Sequence, residues 1–430
     1  MLKIILQDLR HIYPFNERAR DLRIQNKPLW LVQRDVLAPH THREQEFPPQ
    51  AAFPKIDEEC LVYRDNLFFD SAYFEAFLGE ARLRHQPCQA AFSANDPSFR
   101  EHALPLSTSY TLDGDLYLTE LWYFPNGIHS EIDPMSAEPV VIHLDSTEAG
   151  YYHVPTYMAY EQGDLTFQVP RRSLIAIDSW VHIFIADIVF GQFTRGARFE
   201  ERLNNDPLYK LKILAKAMFE GKQVLECSEL VKIGRNCVID PHATIHGPTI
   251  IGDNVTINAG AVIENCVIGD NVNVSQDCQL MLSVIGDGSF LPFRASLFMT
   301  TVMENSMIAQ NTCLQMCVVG RNTFIGAGST FTDFNLLSAP IRARDGNGQL
   351  IYSNRPVLGG CVGHNCRLGA GLTIFPARAI ESDVVLFASS DRHVIERDIR
   401  YEDSDHHQLA YASIHPRLYP RIDEVVLNSW

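Results

Sequence analysis

Aliphatic residues recur every six positions through the second half of this 430-residue chain, and no other feature limits the possible folds so strongly. Ile233, Ile239, Ile245, Ile251, Ile257 and Ile263 form the first run. The series then slips by one residue and restarts at Ile268, Val274 and Leu280, and again at Ile285, Leu291 and Leu297. Val302, Ile308 and Leu314 follow, then Val319, Ile325, Phe331 and Leu336. Two steps of six and one of five make a repeating unit of seventeen positions. The text between runs repeats with it: Ile251-Gly252-Asp253-Asn254, Ile268-Gly269-Asp270-Asn271, Ile285-Gly286-Asp287-Gly288 and Val319-Gly320-Arg321-Asn322.

Neither an α-helix nor a free-standing strand has period six. A three-sided coil of short strands satisfies it, because each side points one residue inward. Stacked coils then pair in parallel about 4.8 Å apart around a continuous aliphatic column. Gly and Asn at the corners supply the positive φ that sharp turns need. The pattern predicts a parallel β-helix from near Val231 to about Ile380. After Leu336 the next corner, Val362-Gly363-His364-Asn365, comes twenty-six positions on instead of seventeen, so nine residues should leave the column. They are placed within 338–356, where Asp345-Gly346-Asn347-Gly348 is turn text. Coils should resume with Val362, Leu368, Ile374 and Ile380. His364 holds the corner position of Asp253 and Asp270 and is expected to be a solvated turn residue. The period is lost from Asp391 to Trp430, a charged, His-rich stretch expected to cap the open end of the column.

The first half has α/β character. Strands are expected at 2–6, 59–63 and 140–143, and an amphipathic helix over 71–85 with Phe74, Phe77, Leu78 and Ala81 on one face. Residues 200–221 read as a helix ended by Gly221. The expected organisation is therefore an α/β domain (1–195), a helical linker (196–225), a β-helix (226–390) and a C-terminal extension (391–430). A net charge of −16 argues against nucleic acid and anionic membrane partners. The opening apolar run is too short for a signal peptide, and no stretch has the length of a membrane span. The ten cysteines form no CxxC pair and lie mostly in apolar text, so reduced thiols in a cytoplasmic protein are expected.

His246-Gly247-Pro248-Thr249-Ile250-Ile251-Gly252-Asp253-Asn254 resembles the first turn of the column in the sugar-1-phosphate nucleotidyltransferase family, which includes bifunctional uridyltransferase/acetyltransferases. Residues Val319 to Gly328, with the following Asp333-Phe334-Asn335, are similar to that family's segment IGxNxxxGAGTxxxNY. The resemblance implies a left-handed coil, a nucleotidyltransferase-like α/β domain in front of it, and a homotrimer assembled through 231–380. It also implies a nucleotide sugar or sugar phosphate as ligand, with Mg2+ and an acyl-CoA as further participants. Val62-Tyr63-Arg64-Asp65-Asn66-Leu67-Phe68-Phe69 resembles the strand whose end carries the magnesium-binding Asp, which maps onto Asp65. Arg23, Asn335, Arg342 and Arg344 are the implied substrate-binding residues, the last two as a phosphate clamp.

Two motifs depart from the family. Gln310 stands where its catalytic histidine would be, and an amide cannot take a proton at neutral pH. Gln7 to Asn16 replaces the Gly-rich phosphate loop with a segment that has no glycine. His242 and His246 are four apart but do not match the ligand set of γ-carbonic anhydrases, so no zinc is expected. The chain reads as a transferase-like protein of nucleotide-sugar metabolism, for nucleotidyl and/or acyl transfer, with degenerate catalytic motifs. The alternative is a non-catalytic ligand-sensing or scaffolding relative.

Overall fold

Strands of two or three residues stack into three parallel eight-stranded sheets, the faces of a triangular column that fits the expected left-handed β-helix. The computed structural model describes residues 1–49, 55–129, 138–146, 148–154, 165–336, 339–410 and 412–422. The first face runs from Val231–Ile233 to Ala379–Ile380, the second from Val238–Ile239 to Val385–Leu386, and the third from Thr244–His246 to Val394–Ile395. Ile251 pairs with Ile268, Ile268 with Ile285, Ile285 with Val302 and Val302 with Val319, so each step in register is one sequence repeat. The inward residues form one buried aliphatic cluster along the axis. At the corners a side chain on one coil accepts from the backbone of the coil before it. Arg235 N–H donates to Asp253 Oδ1 (2.7 Å), Asp253 N–H to Asp270 Oδ1 (2.7 Å) and Asp270 N–H to Asp287 Oδ1 (2.9 Å).

The excursion from the column is longer than the spacing suggested. Val319 pairs with Val362, forty-three positions later. Removing one coil of seventeen leaves twenty-six positions outside the column, not nine. Leu336 keeps the phase of the repeat only by coincidence: it is 78% exposed and takes no place in the stack. Within the excursion, Arg342–Arg344 and Leu350–Tyr352 form an antiparallel hairpin around the expected turn. The column also persists beyond Ile380, because Thr373 pairs with Val394 across a coil four positions longer than the regular one, which hides it from the period. The residues that follow cap this end. The buried carboxylate of Glu381 accepts from Arg421 Nε (2.8 Å), Asn16 Nδ2 (2.8 Å) and Tyr401 N–H (3.1 Å), and Asp383 Oδ2 accepts from Leu418 N–H (2.9 Å) and Tyr419 N–H (2.7 Å).

The α/β part begins with β1 (Leu2–Leu6), α1 (Leu29–Leu37), β2 (Arg43–Phe47) and β3 (Cys60–Arg64). Then come α2 (Ser71–Arg84), β4 (Cys88–Ser93), β5 (Thr111–Asp113), β6 (Leu116–Phe124) and β7 (Val140–His143). The sheet order is β7-β4-β6-β3-β1-β2, with β5 beside β6. Helix α2 starts where Asp70 accepts from Tyr73 N–H (2.8 Å), and it buries Phe74, Phe77, Leu78 and Ala81 as expected. The linker is not one helix. A helical run from Trp180 ends in α3 (Thr194–Asn205), and α4 (Pro207–Glu220) starts afresh. Pro207 has no N–H to continue a helix, and Asp206 caps the new one by accepting from Tyr209 N–H (3.0 Å). Gly221, at φ +64°, ends it as expected. No helix among the described residues is long and apolar enough to cross a membrane. All ten cysteines are free thiols.

The α/β domain lies against the first face of the column. The outward residues Val284, Thr301, Val318, Cys361 and Ala379 are buried there, and one apolar cluster runs from the β-sheet domain into Met299, Met303, Met316 and Leu358. Polar contacts fix the alignment. Arg321 donates to both oxygens of Glu17 (2.9 Å each), Arg23 pairs with Glu304 (2.7 Å), and Asn26 donates to Asp287 (2.8 Å). His364 occupies its expected corner register but is fully buried and not solvated. Its Nδ1 accepts from Arg321 N–H (3.0 Å), as the corner aspartates do, while Phe15 and Tyr419 cover the ring. Its Nε2 lies 3.3 Å from Glu17. Burial alone would raise the Glu17 carboxyl, but His364 and Arg321 hold it below its ordinary value.

Asp187 joins the same seam, accepting from Gln25 N–H (2.5 Å) and from the Thr301 hydroxyl (2.8 Å). Burial pushes its carboxyl up to about 7, against the pull of those two donors. An unfolded Asp titrates near 3.9, so between about pH 4 and pH 7 the folded chain holds a proton that the unfolded chain has released. Stability from this group therefore falls as pH rises through that window. Urea midpoints at pH 5 and pH 8 should drop more for the wild type than for Asp187→Asn. In the column, Leu314→Ala should cost about 2–5 kcal/mol in equilibrium denaturation, because a closed stack relaxes little around a lost side chain.

Candidate functional site

From β1 the chain passes through α1 to β2 on one side of β1, then crosses to β3 on the other side. The strand order reverses there. In open α/β sheets the crevice at such a point, outside the carboxyl ends of the strands, is where ligands bind. Asp8 lies just beyond the end of β1 and Asp65 directly follows β3. The two meet: Asp8 N–H donates to Asp65 Oδ1 at 2.7 Å, in a buried contact. Arg20 reaches Asp65 Oδ2 (3.2 Å) and Glu46 Oε1 (3.0 Å).

Burial pushes the Asp65 carboxyl up to about 6, against the Asp8 N–H and the Arg20 charge. A carboxyl in that range exchanges its proton near neutrality, as acid–base groups do. A cavity of about 90 Å³ opens over it, with Lys3, Arg20, Arg34 and the exposed Trp30 on its walls. Both Asp65 oxygens are engaged, so a magnesium ion there would have to displace the Arg20 guanidinium. Among the described residues no group of three or more His, Cys, Asp or Glu is arranged to hold a metal ion.

A second set of groups adjoins it. Arg10 pairs with Asp8 and, at 2.9 Å, with Asp178, and it donates to the Thr108 and Ser109 hydroxyls (2.8 and 3.0 Å). Asp178 also accepts from Ser107 Oγ (2.7 Å), Thr108 N–H (2.8 Å) and Ser109 Oγ (2.7 Å). Burial would raise its carboxyl, but Arg10, His182 and these donors hold it below the usual range. The hairpin from the column rests on this rim. Gly346 N–H donates to Leu106 O (3.2 Å), and Ser179 Oγ donates to Arg344 O (2.8 Å). A Cβ at Gly346 would stand 2.4 Å from Thr108 Oγ1, so a larger residue would push the Thr108 side chain aside.

Of the residues singled out from sequence, Asp65 alone lies in this crevice. Arg23 is held by Glu304 and donates to Asn26 O (3.0 Å) in the seam. Arg344 pairs with Asp398 (2.9 Å) and lies over the Tyr13 ring. Arg342 is exposed, and Asn335 donates to Ala339 O (2.8 Å). Gln310 sits half-exposed at a column corner, where its carbonyl accepts from Gly328 N–H (3.0 Å). Asp8, Arg10, Asp178 and Ser107–Ser109 were missed. The position of Asp8 and Arg10 just after the first strand was a usable signal, whereas nothing in the text marks Asp178 or its hydroxyl partners. His242 is exposed beside Asp240, and His246 faces Glu264 at 3.2 Å.

Residues 231–265, the opening two coils, match the bacterial transferase hexapeptide family (six repeats). No curated protein matches the chain. Among solved structures, a Bacillus cereus protein provisionally described as an acetyltransferase is 21% identical over 23% of this chain and 69% of its own, with a TM-score of 0.16. The acetyltransferase domain of PglB from Neisseria gonorrhoeae, in complex with acetyl coenzyme A, is 15% identical, with a TM-score of 0.13. That alignment covers 42% of this chain and 62% of the domain, less than two thirds of its length. The chain thus carries the hexapeptide repeat of bacterial transferases at the start of its column.

Proposed function

We propose that the chain is a transferase-like protein of nucleotide-sugar metabolism, whose α/β domain takes a nucleotide sugar or sugar phosphate in the crevice over Asp65. One observation carries this reading. Asp8 and Asp65 meet where the strand order reverses, and Asp65 is poised to exchange a proton near pH 6. Arg34 on the cavity wall supplies positive charge for phosphate groups, while Lys3 and Arg20 are held by Glu44 (2.7 Å) and Glu46 (3.0 Å) on the same wall. The mixed sheet with its reversal beside β1 supports the nucleotidyltransferase-like assignment of residues 1–195.

Acyl transfer from an acyl-CoA is the second activity proposed, on the column. Its open corners support it: a Cβ on Gly328 or Gly371 would meet nothing within 4 Å, so a ligand could approach the backbone closely. Gln310 cannot serve as the base, so a base would have to come from elsewhere. The packing of the faces supports a homotrimer. The α/β domain covers the first face, while Val238 and Phe290 on the second and Phe375, just past a third-face strand, stay exposed, and a closed three-fold ring uses two different patches per subunit. Ten free thiols support a reducing, cytoplasmic compartment. The non-catalytic sensing or scaffolding reading is favoured by one specific feature, Arg10, whose guanidinium fills the space between Asp8 and Asp178.

Thermal melting with a nucleoside triphosphate, a UDP-sugar, a sugar 1-phosphate and acetyl-CoA tests the ligand. Binding at 100 times Kd stabilises by about 2.7 kcal/mol, which should raise the Tm by several degrees. Asp65→Asn should abolish the response to nucleotides and sugar phosphates. No response to any of the four would overturn the transferase reading and leave the scaffold. Light scattering should return three times the chain mass, and a monomeric mass would remove the trimer.

A further inference from the structure

A larger cleft, of about 440 Å³, lies between α3 and the third face of the column, with the first turns of the column at its base. This volume is in the range of small-molecule sites. One wall is a ladder fixed by the repeat: His246 pairs in register with Glu264, and Glu264 with Met281, so their side chains stack outward on neighbouring coils. The other wall is α3 with the end of the helical run before it, presenting Phe193 and Phe199. Gly196 brings this wall close, since a Cβ there would lie 3.2 Å from Asn265 Nδ2.

Apart from His246, the ionisable groups of this cleft are carboxylates. Glu264 accepts at Oε1 from His246 Nδ1 (3.2 Å), and no contact with its other oxygen is found among the described residues. Glu226 Oε1 lies 3.8 Å from His246 Nε2, outside hydrogen-bond reach, and Glu200 stands exposed on the rim. Among the described residues no lysine or arginine lines the cleft. Phosphates would be repelled. A cation would be attracted by carboxylates set among apolar and aromatic walls, where charge–charge and cation–π attraction are less screened than in bulk water.

We propose that this cleft is a second ligand site, taking a small molecule that carries an organic ammonium group on a compact apolar body. Glu264 holds the ammonium, with Glu200 adding to the field at the rim, and Phe193, Phe199 and Met281 receive the apolar part. The site is separate from the crevice over Asp65, with which it shares no lining residue and whose wall mixes Lys3, Arg20 and Arg34 with Glu44 and Glu46.

Calorimetric titration of the full chain with 2-phenylethylammonium, and with its uncharged counterpart 2-phenylethanol, tests this. The ammonium probe should bind once per chain with Kd below about 1 mM, a reasonable affinity for so few atoms. The alcohol should bind at least ten-fold more weakly. Glu264→Gln should lose ten-fold or more, the exposed Glu200→Gln two- to three-fold, and Asp65→Asn nothing. Equal Tm values for the variants would show that they fold. Absence of saturable binding, equal affinity for the alcohol, or full affinity in both glutamate variants would overturn the site. Loss of binding in Asp65→Asn would overturn its independence from the first crevice.

Discussion

The burial of one column face beneath the α/β domain is the constraint on which the rest of this structure depends. A parallel column offers three similar faces to any partner. Here the outward residues Val284, Thr301, Val318, Cys361 and Ala379 are small and buried, and Thr301 bonds to Asp187 in the helical run that begins at Trp180. Both clefts are also consequences of this packing. The hairpin that leaves the column reaches the rim beside Asp178, and α3 is held alongside the third face to form the wall of the larger cleft.

Apolar contact does not specify alignment along a repeating column, because a shift by one coil would bury nearly the same surface. Charged pairs at unique positions do. Glu17 bridges Arg321 and His364 on neighbouring coils, Arg23 meets Glu304 one coil before Arg321, and Asn26 meets Asp287 one further. Displacing the domain by a coil would strand several partly buried charges, each costly to leave unpaired. The cap at the far end works likewise, with Glu381 shared among Arg421, Asn16 and Tyr401. Segments from near both ends of the sequence thereby converge on the last regular coils.

The legibility of these features follows the range of the interactions behind them. The column was readable because each inward residue reports on the same local geometry every six positions, so errors average out over many coils. The excursion was misjudged because Leu336 fell into phase by chance. Only its pairing partner, which it lacks, could have exposed this. His364 was correctly placed in register and wrongly placed in water, since its cover comes from Phe15 and Tyr419, far away along the chain in both directions. Asp65 was found through its strand-end position. Its partners Asp8 and Arg20 were not, because their contact depends on which strands become neighbours.

The sequence by itself determined the repeating unit, the three-sided coil, the corner chemistry and the glycine end of α4, because all of these are settled by residues within about twenty positions of one another. Tertiary structure alone decided which face of the column the α/β domain covers, where Asp8, Arg10 and Asp178 converge, and that His246 and Glu264 look into a cleft. Those outcomes arise from contacts between residues more than a hundred positions apart, or from walls contributed by separate elements, and no local pattern records them.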